Sequence, residues 1–147
     1  MHHNDISSSD QEKLKAAAEC IYYAWDKALA NNDVDGLLKL YAQDAIIESP
    51  LIPHLLETDT GILKGGNALR LLIEKVAQRK PAIRKHFKQN FFTDGKTLIF
   101  EYPRQTPDGE QMDFVEVMEI KDGLIQCHRV YWGWRGFKVI QKNLYQR

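Results

Sequence analysis

Two residues carry the clearest chemistry in this chain. Glu116 lies in the run Phe114-Val115-Glu116-Val117-Met118, an acid set among apolar neighbours, and His128 follows in Gln126-Cys127-His128-Arg129-Val130. A carboxyl group is seldom buried without a partner. A carboxyl and an imidazole held in one apolar hollow are the pair from which a site draws an acid or a base near neutral pH. His128 could act as general base, general acid or orienter of a substrate. A third acid, Glu101, sits among apolar neighbours in Leu98-Ile99-Phe100-Glu101-Tyr102-Pro103 and would assist. Each has a plainer reading: Glu116 in an ion pair with Arg129, His128 as a satisfied structural group, Glu101 in an edge pair with Arg104 or Lys96.

The stretch from Glu110 to Trp134 must position the first two. Val, Ile, Phe, Tyr and Trp dominate it, and Lys121-Asp122-Gly123 interrupts it, which reads as two strands and a hairpin turn. A three-residue loop with its glycine at positive φ would set Ile120 opposite Leu124, Met118 opposite Gln126 and Glu116 opposite His128. Met112, Phe114, Glu116, Met118 and Ile120 would then share one face with Gln126, His128, Val130, Trp132 and Trp134. A two-residue turn would instead set Glu116 opposite Arg129. The three-residue loop is the expected form. Tyr22, Trp25, Trp132 and Trp134 would wall the hollow or pack the core. Asp113, Val115, Val117, Arg129 and Tyr131 would fall on the other face, whose apolar members point to a cover, most simply a second copy of the chain.

Length and composition bound the rest. A chain of 147 residues suits one domain with a sizeable core. Lys and Arg balance Asp and Glu at 20 each, so nothing asks for nucleic acid or an anionic membrane as partner. No apolar run reaches the roughly 18 residues of a membrane span. The start, MHHNDISSSD, lacks the apolar core of a signal peptide, so a cytoplasmic location is expected. Cys20 and Cys127 have no metal-like spacing and read as reduced, small buried hydrophobes. His54, His86 and His128 are scattered, and no metal constellation stands out.

In chain order, residues 1–9 read as a disordered lead-in and 10–147 as a single domain. Ser9 with Glu12 fits a capping box for a helix starting near Asp10. Its apolar stripe runs through Leu14, Ala18, Ile21, Trp25 and Ala28 and should stop near Asn31-Asn32. Asp33 caps a short second helix carrying Leu37, Leu40 and Tyr41. Residues 45–49 read as a strand ended by Pro50. Residues 51–63 form an unusually apolar loop, either packed on the core or a lid, from which His54 could reach a pocket mouth. A third helix follows Gly65-Gly66-Asn67 and stops before Pro81. Strands at about 83–93 and 96–104, joined by Asp94-Gly95, and a loop at 106–109 lead into the hairpin. The tail from Gly136 should begin as strand and fray. Three helices interleaved with one strand, then a run of strands, give an α+β fold: one curved antiparallel sheet with helices on one face.

That order and three phrases, ALANNDVDGLLKLYAQDAIIESP, the glycine-led helix after GILKGG, and KDGLIQCHRVYW, resemble the nuclear transport factor 2-like superfamily over roughly residues 10–137. Its SnoaL-like and ketosteroid isomerase-like members are the branch in view. The resemblance implies a cone: a bent, mixed sheet around about three N-terminal helices, with a deep apolar pocket at the open end and dimerisation through the outer sheet face. Its chemistry transfers in part. The isomerase base, an Asp before the strand-ending Pro, falls on Ser49, and strand alternation turns Glu48 the other way. The isomerase first-helix Tyr falls on Trp25, its second acid on Glu116, and the apolar residue opposite becomes His128. Of the limonene epoxide hydrolase set, one Asp falls near Glu101, the Arg near Ile99 and the other Asp on Val130. Neither set is complete, and the run at 131–137 departs from both groups.

These observations lead to an expected pocket protein for a small apolar ligand, working without a cofactor. Glu116, His128 and Glu101 would be catalytic. Tyr22, Trp25, Ser49, His54, Phe114, Met118, Val130, Trp132 and Trp134 would hold the ligand. Isomerisation, cyclisation, dehydration and epoxide hydration all fit such a site. A binding or dimerisation module without turnover is the alternative.

Overall fold

The structure is a computed structural model that describes residues 6–78, 90–101, 104–105 and 111–142. The expected helix stop at Pro81, the strand before residue 90, His86, the loop at 106–109 and the last five residues lie outside the described residues. Helix α1 runs Ser8–Ala30. Ser7, not Ser9, caps it: the Ser7 hydroxyl accepts the Asp10 amide at 3.2 Å, so residues 8 and 9 belong to the helix rather than to a lead-in. Ala18, Ile21, Tyr22, Trp25 and Ala28 form its buried stripe. Asp33 caps α2, Val34–Leu38, by accepting the Gly36 amide at 2.9 Å. A side chain at position 36 would collide with that carboxylate, which is why glycine follows it.

Tyr41 was expected on α2. It instead opens β1, Tyr41–Glu48, whose inward residues are Tyr41, Ala45 and Ile47, with buried Ser49 just beyond. The residues read as a loop contain α3, Leu51–Leu56, and β2, Ile62–Lys64. Pro50 and Pro53 misdirect a sequence reader here. Proline is tolerated in a first helical turn, where its missing N–H has no partner to lose. Helix α4, Gly66–Ala77, buries Leu69, Leu72 and Ile73.

Strands β3, Phe91–Thr93, and β4, Thr97–Glu101, form a hairpin at Asp94-Gly95. Two short strands, β5 at Arg104–Gln105 and β6 at Gln111–Met112, pair separately. The long hairpin is β7, Phe114–Lys121, with β8, Leu124–Trp132. The main sheet has the order β2-β1-β8-β7-β4-β3. It is mixed, because β1 runs parallel to β8 while the other pairs are antiparallel. It is open rather than closed, and its concave face packs on α1, with Leu98, Met118 and Ile125 fully buried beneath. The tail expected to start as strand is helix α5, Trp134–Gln141. Gly136 in α5 lies against the Trp132 indole, where an added Cβ would come within 2.8 Å of the ring.

The hairpin register departs from the expected one. Asp122 and Gly123 have φ of 52° and 75°, a two-residue turn with both centres left-handed. Lys121 therefore pairs with Leu124 and Ile120 with Ile125. Continued unbroken, that register would turn Arg129 inward. A bulge at Gln126 intervenes, and beyond it Glu119 pairs with Cys127, Met118 with His128 and Glu116 with Val130. One extra residue moves every later side chain to the other face. His128 thus points inward although the turn is the short one. Glu116 and His128 are diagonal neighbours, not opposites. Gln126 leaves the inner face and donates to exposed Asp44 at 3.1 Å.

Candidate functional site

Between the concave sheet and α1, α2 and α4 lies an apolar cavity of about 100 Å³. Its sheet wall is Phe114, Glu116, His128, Val130 and Trp132, together with Tyr41, Ile47 and Ser49 from the β1 side. Its helix wall is Trp25 and Leu29 from α1, Leu37 from α2, Leu51 from α3, and Leu72, Ile73 and Val76 from α4. An apolar hollow of roughly 150 Å³ holds a benzene ring. At about 100 Å³ this hollow is smaller, so it takes a short branched chain or one edge of a ring, with the remainder of a ligand at the mouth.

Glu116 is 4 % exposed and His128 2 %. His128 Nε2 and Glu116 Oε2 share a hydrogen bond of 2.6 Å. On the other side of the ring, His128 Nδ1 and the Tyr41 hydroxyl share one of 2.9 Å. The Trp25 indole N–H donates to that same Tyr41 oxygen at 3.2 Å. Four buried groups from α1, β1, β7 and β8 thus form one chain ending on a carboxyl at the cavity wall. Burial pushes the Tyr41 phenol above its ordinary range. The Trp25 hydrogen bond opposes that, and the nearby Glu116 adds to it. Ser49 stands just beyond the end of β1, its hydroxyl accepting the Leu51 amide at 3.2 Å.

Of the expected site residues, Glu116, His128, Trp25, Ser49, Phe114, Val130 and Trp132 are together on the cavity wall. The plain ion pair of Glu116 with Arg129 does not form. Arg129 is on the outer face and binds Glu119 at 2.7 Å, lowering the Glu119 carboxyl below its usual range. Glu101 is exposed and pairs across from Val115 on the convex side, away from the cavity, because it follows inward Phe100 by one residue. Ile99 is likewise on that side. Trp134 is 67 % exposed and stacks on Phe137 of α5, since the strand it was placed on ends at Trp132. Met118, Tyr22 and His54 are buried but do not line the cavity; Tyr22 packs on Phe91 and Phe100, and His54 on α3. Tyr41 was missed as a site residue. Ala45, Ile47 and Ser49 alternate as one inward strand face, but exposed Gln43 and a register shift between Tyr41 and Ile46 break the alternation before it reaches Tyr41. Among the described residues no three His, Cys, Asp or Glu side chains gather as metal ligands, and no helix is long and apolar enough to cross a membrane.

A bent, open, mixed sheet around helices, with a polar pair set into an apolar hollow, defines the class. The SnoaL-like domain model matches residues 22–128, so the chain belongs to the SnoaL-like family of the nuclear transport factor 2-like superfamily. Solved structures agree on the fold. A SnoaL-like protein from Burkholderia thailandensis superposes with a TM-score of 0.67 at 17% identity, covering 81% of this chain and 96% of that one. A Bacillus subtilis protein described as a candidate isomerase gives 0.66 at 17%, covering 88% and 95%. A candidate ketosteroid isomerase from Kribbella flavida gives 0.62 at 16%, covering 80% and 78%. No curated protein matches the chain.

Proposed function

We propose that this protein is a cofactor-independent acid–base enzyme acting on a small, largely apolar molecule. Glu116 and His128 would move the proton, and Trp25, Phe114, Val130 and Trp132 would hold the substrate, with Ser49 offering a hydroxyl. The observation that carries this reading is the 2.6 Å contact between a buried carboxyl and a buried imidazole at the wall of an apolar cavity. A proton acceptor there works in a water-poor site, where a hydrogen bond or a charge counts for more than in water. Isomerisation, cyclisation, dehydration and epoxide hydration are the reaction types such a site supports. A cytoplasmic location and a homodimer through the convex sheet face belong to the same reading. Tyr131 on that face is 54 % exposed and Ile99 38 %. A second reading, a binding module without turnover, is favoured by Ser49 and Trp25 standing where the isomerase base and tyrosine would be.

A screen of epoxides, enones and polyketide-like ketones against wild type and Glu116→Gln separates the two. Turnover by wild type, lost in Glu116→Gln with binding retained, supports catalysis. Binding without turnover of any bound compound supports the module and overturns the enzyme.

A further inference from the structure

We infer that Tyr41, held by Trp25, is a positioning residue that keeps His128 as a neutral donor through Nε2–H, so that Glu116 is the proton acceptor of the pair. This inference rests on the reading of that pair given above.

The reasoning is a count of protons along the chain. An indole N–H can only donate, so the Tyr41 oxygen accepts from Trp25. Tyr41 keeps its own hydroxyl proton. Among the described residues the one acceptor in hydrogen-bonding contact with that hydroxyl is His128 Nδ1, at 2.9 Å. The hydroxyl therefore donates to Nδ1, which is then the unprotonated nitrogen of the ring. The ring proton sits on Nε2 and points at Glu116 Oε2, 2.6 Å away. The reverse arrangement, with a proton on Nδ1, leaves a buried phenol hydrogen without an acceptor, which disfavours it by roughly tenfold or more in population. The groups facing the imidazole are Tyr41 from β1 and Glu116 from β7, and the Trp25 ring from α1 meets it edge-on.

The direction of the chain fixes the roles. With Nδ1 occupied by a donor and Nε2–H engaged, the imidazole has no lone pair to offer a substrate. Glu116 accepts the substrate proton, while His128 holds the carboxylate in place and donates to it before and after. Tyr41 acts through His128 and touches the proton that moves only indirectly. Nothing in the sequence run Leu40-Tyr41-Ala42 marks this role, which depends on β1 lying parallel beside β8.

The test reads His128 directly. Nitrogen-15 spectra of histidine-labelled protein at pH 7, with His128 assigned by its loss in His128→Gln, report whether Nδ1 carries a proton. No substrate is needed, so the result stands whether or not turnover is ever found. Wild type is expected to show Nδ1 unprotonated and hydrogen-bonded in at least about nine molecules of ten. Tyr41→Phe is expected to let Nδ1 take up a proton, giving a mixture. If Tyr41→Phe does not fold, the wild-type spectrum tests the inference alone, because the hydroxyl proton has Nδ1 as its acceptor. With a substrate in hand, Tyr41→Phe should lower kcat about tenfold and leave KM within about twofold. A proton on Nδ1 in wild type overturns the inference. So does an Nδ1 that stays unprotonated in folded Tyr41→Phe.

Discussion

Replacing His128 with leucine tests how firmly Glu116 depends on it. The substitution is close to volume-conserving, so packing changes little. It strands two buried polar atoms: Glu116 Oε2, which loses its 2.6 Å partner, and the Tyr41 hydroxyl proton, which loses its acceptor at 2.9 Å. Each stranded group costs about 1–3 kcal/mol. Rotation of the two stranded groups toward new partners relieves part of this, so His128→Leu should destabilise by about 2–4 kcal/mol. A domain of this size loses roughly 2–4 °C of Tm per kcal/mol, giving a drop of roughly 4–16 °C. The double variant Glu116→Leu/His128→Leu removes the stranded carboxyl and should be more stable than His128→Leu alone by about 1 kcal/mol or more. Thermal and urea unfolding of wild type, both single variants and the double gives the cycle. A His128→Leu protein melting within about 2 °C of wild type would refute the reasoning, because less than about 1 kcal/mol would then be tied to this ring. A double variant no better than the single would refute it equally.

Two further outcomes follow, one from the same chain of hydrogen bonds and one from the cap of α2. The Tyr41 phenol is held above its ordinary value in the folded state. Its contribution to stability is therefore full below about pH 10, where the unfolded chain's tyrosine titrates, and is lost as pH rises toward the folded value. Denaturant midpoints should fall above pH 10 more steeply in wild type than in Tyr41→Phe; equal slopes would contradict this. At the start of α2, Asp33→Ala removes the carboxylate that accepts the Gly36 amide and should cost about 1 kcal/mol by urea unfolding, whereas Asp35→Ala at the exposed surface should cost less than half of that.

Much of the fold was legible because local signals and tertiary need agree. The stripe of α1, the Asp33 cap and the glycine before α4 are short-range features that packing leaves intact. Strand alternation alone puts Ser49 inside and Glu48 out. What failed depends on competition that sequence does not show. The turn at Asp122-Gly123 takes its two-residue form, and the bulge at Gln126 then restores the inward side of β8, so the expected face survives by two compensating departures. The bulge had no local mark, since Gln126 carries no turn residue beside it and its partner, Asp44 on β1, is distant in the chain. Helix α3 was hidden by two prolines, Pro50 at its N-cap and Pro53 in its first turn, both positions that tolerate proline. Helix α5 was legible in principle from Trp134, Phe137 and Ile140 at three-residue spacing, but Gly136 in its first turn hid it. Glu101 illustrates a limit of local reading: an acid among apolar residues lies on whichever face parity assigns, and here that is the convex one.

The central claim is that the hollow beneath Glu116 and His128 receives a small apolar molecule. The direct measurement is a titration of nitrogen-15-labelled protein with 2-cyclohexen-1-one, a small enone whose ring edge would enter the hollow while the rest stays at its mouth, following the indole signals of Trp25 and Trp132 and the ring of His128. The account predicts saturable shifts at all three, and their loss in a folded Val130→Trp variant whose added ring fills the space opposite Glu116. No saturable shift with this enone or its saturated and aromatic analogues, or binding that Val130→Trp leaves unchanged, would contradict it.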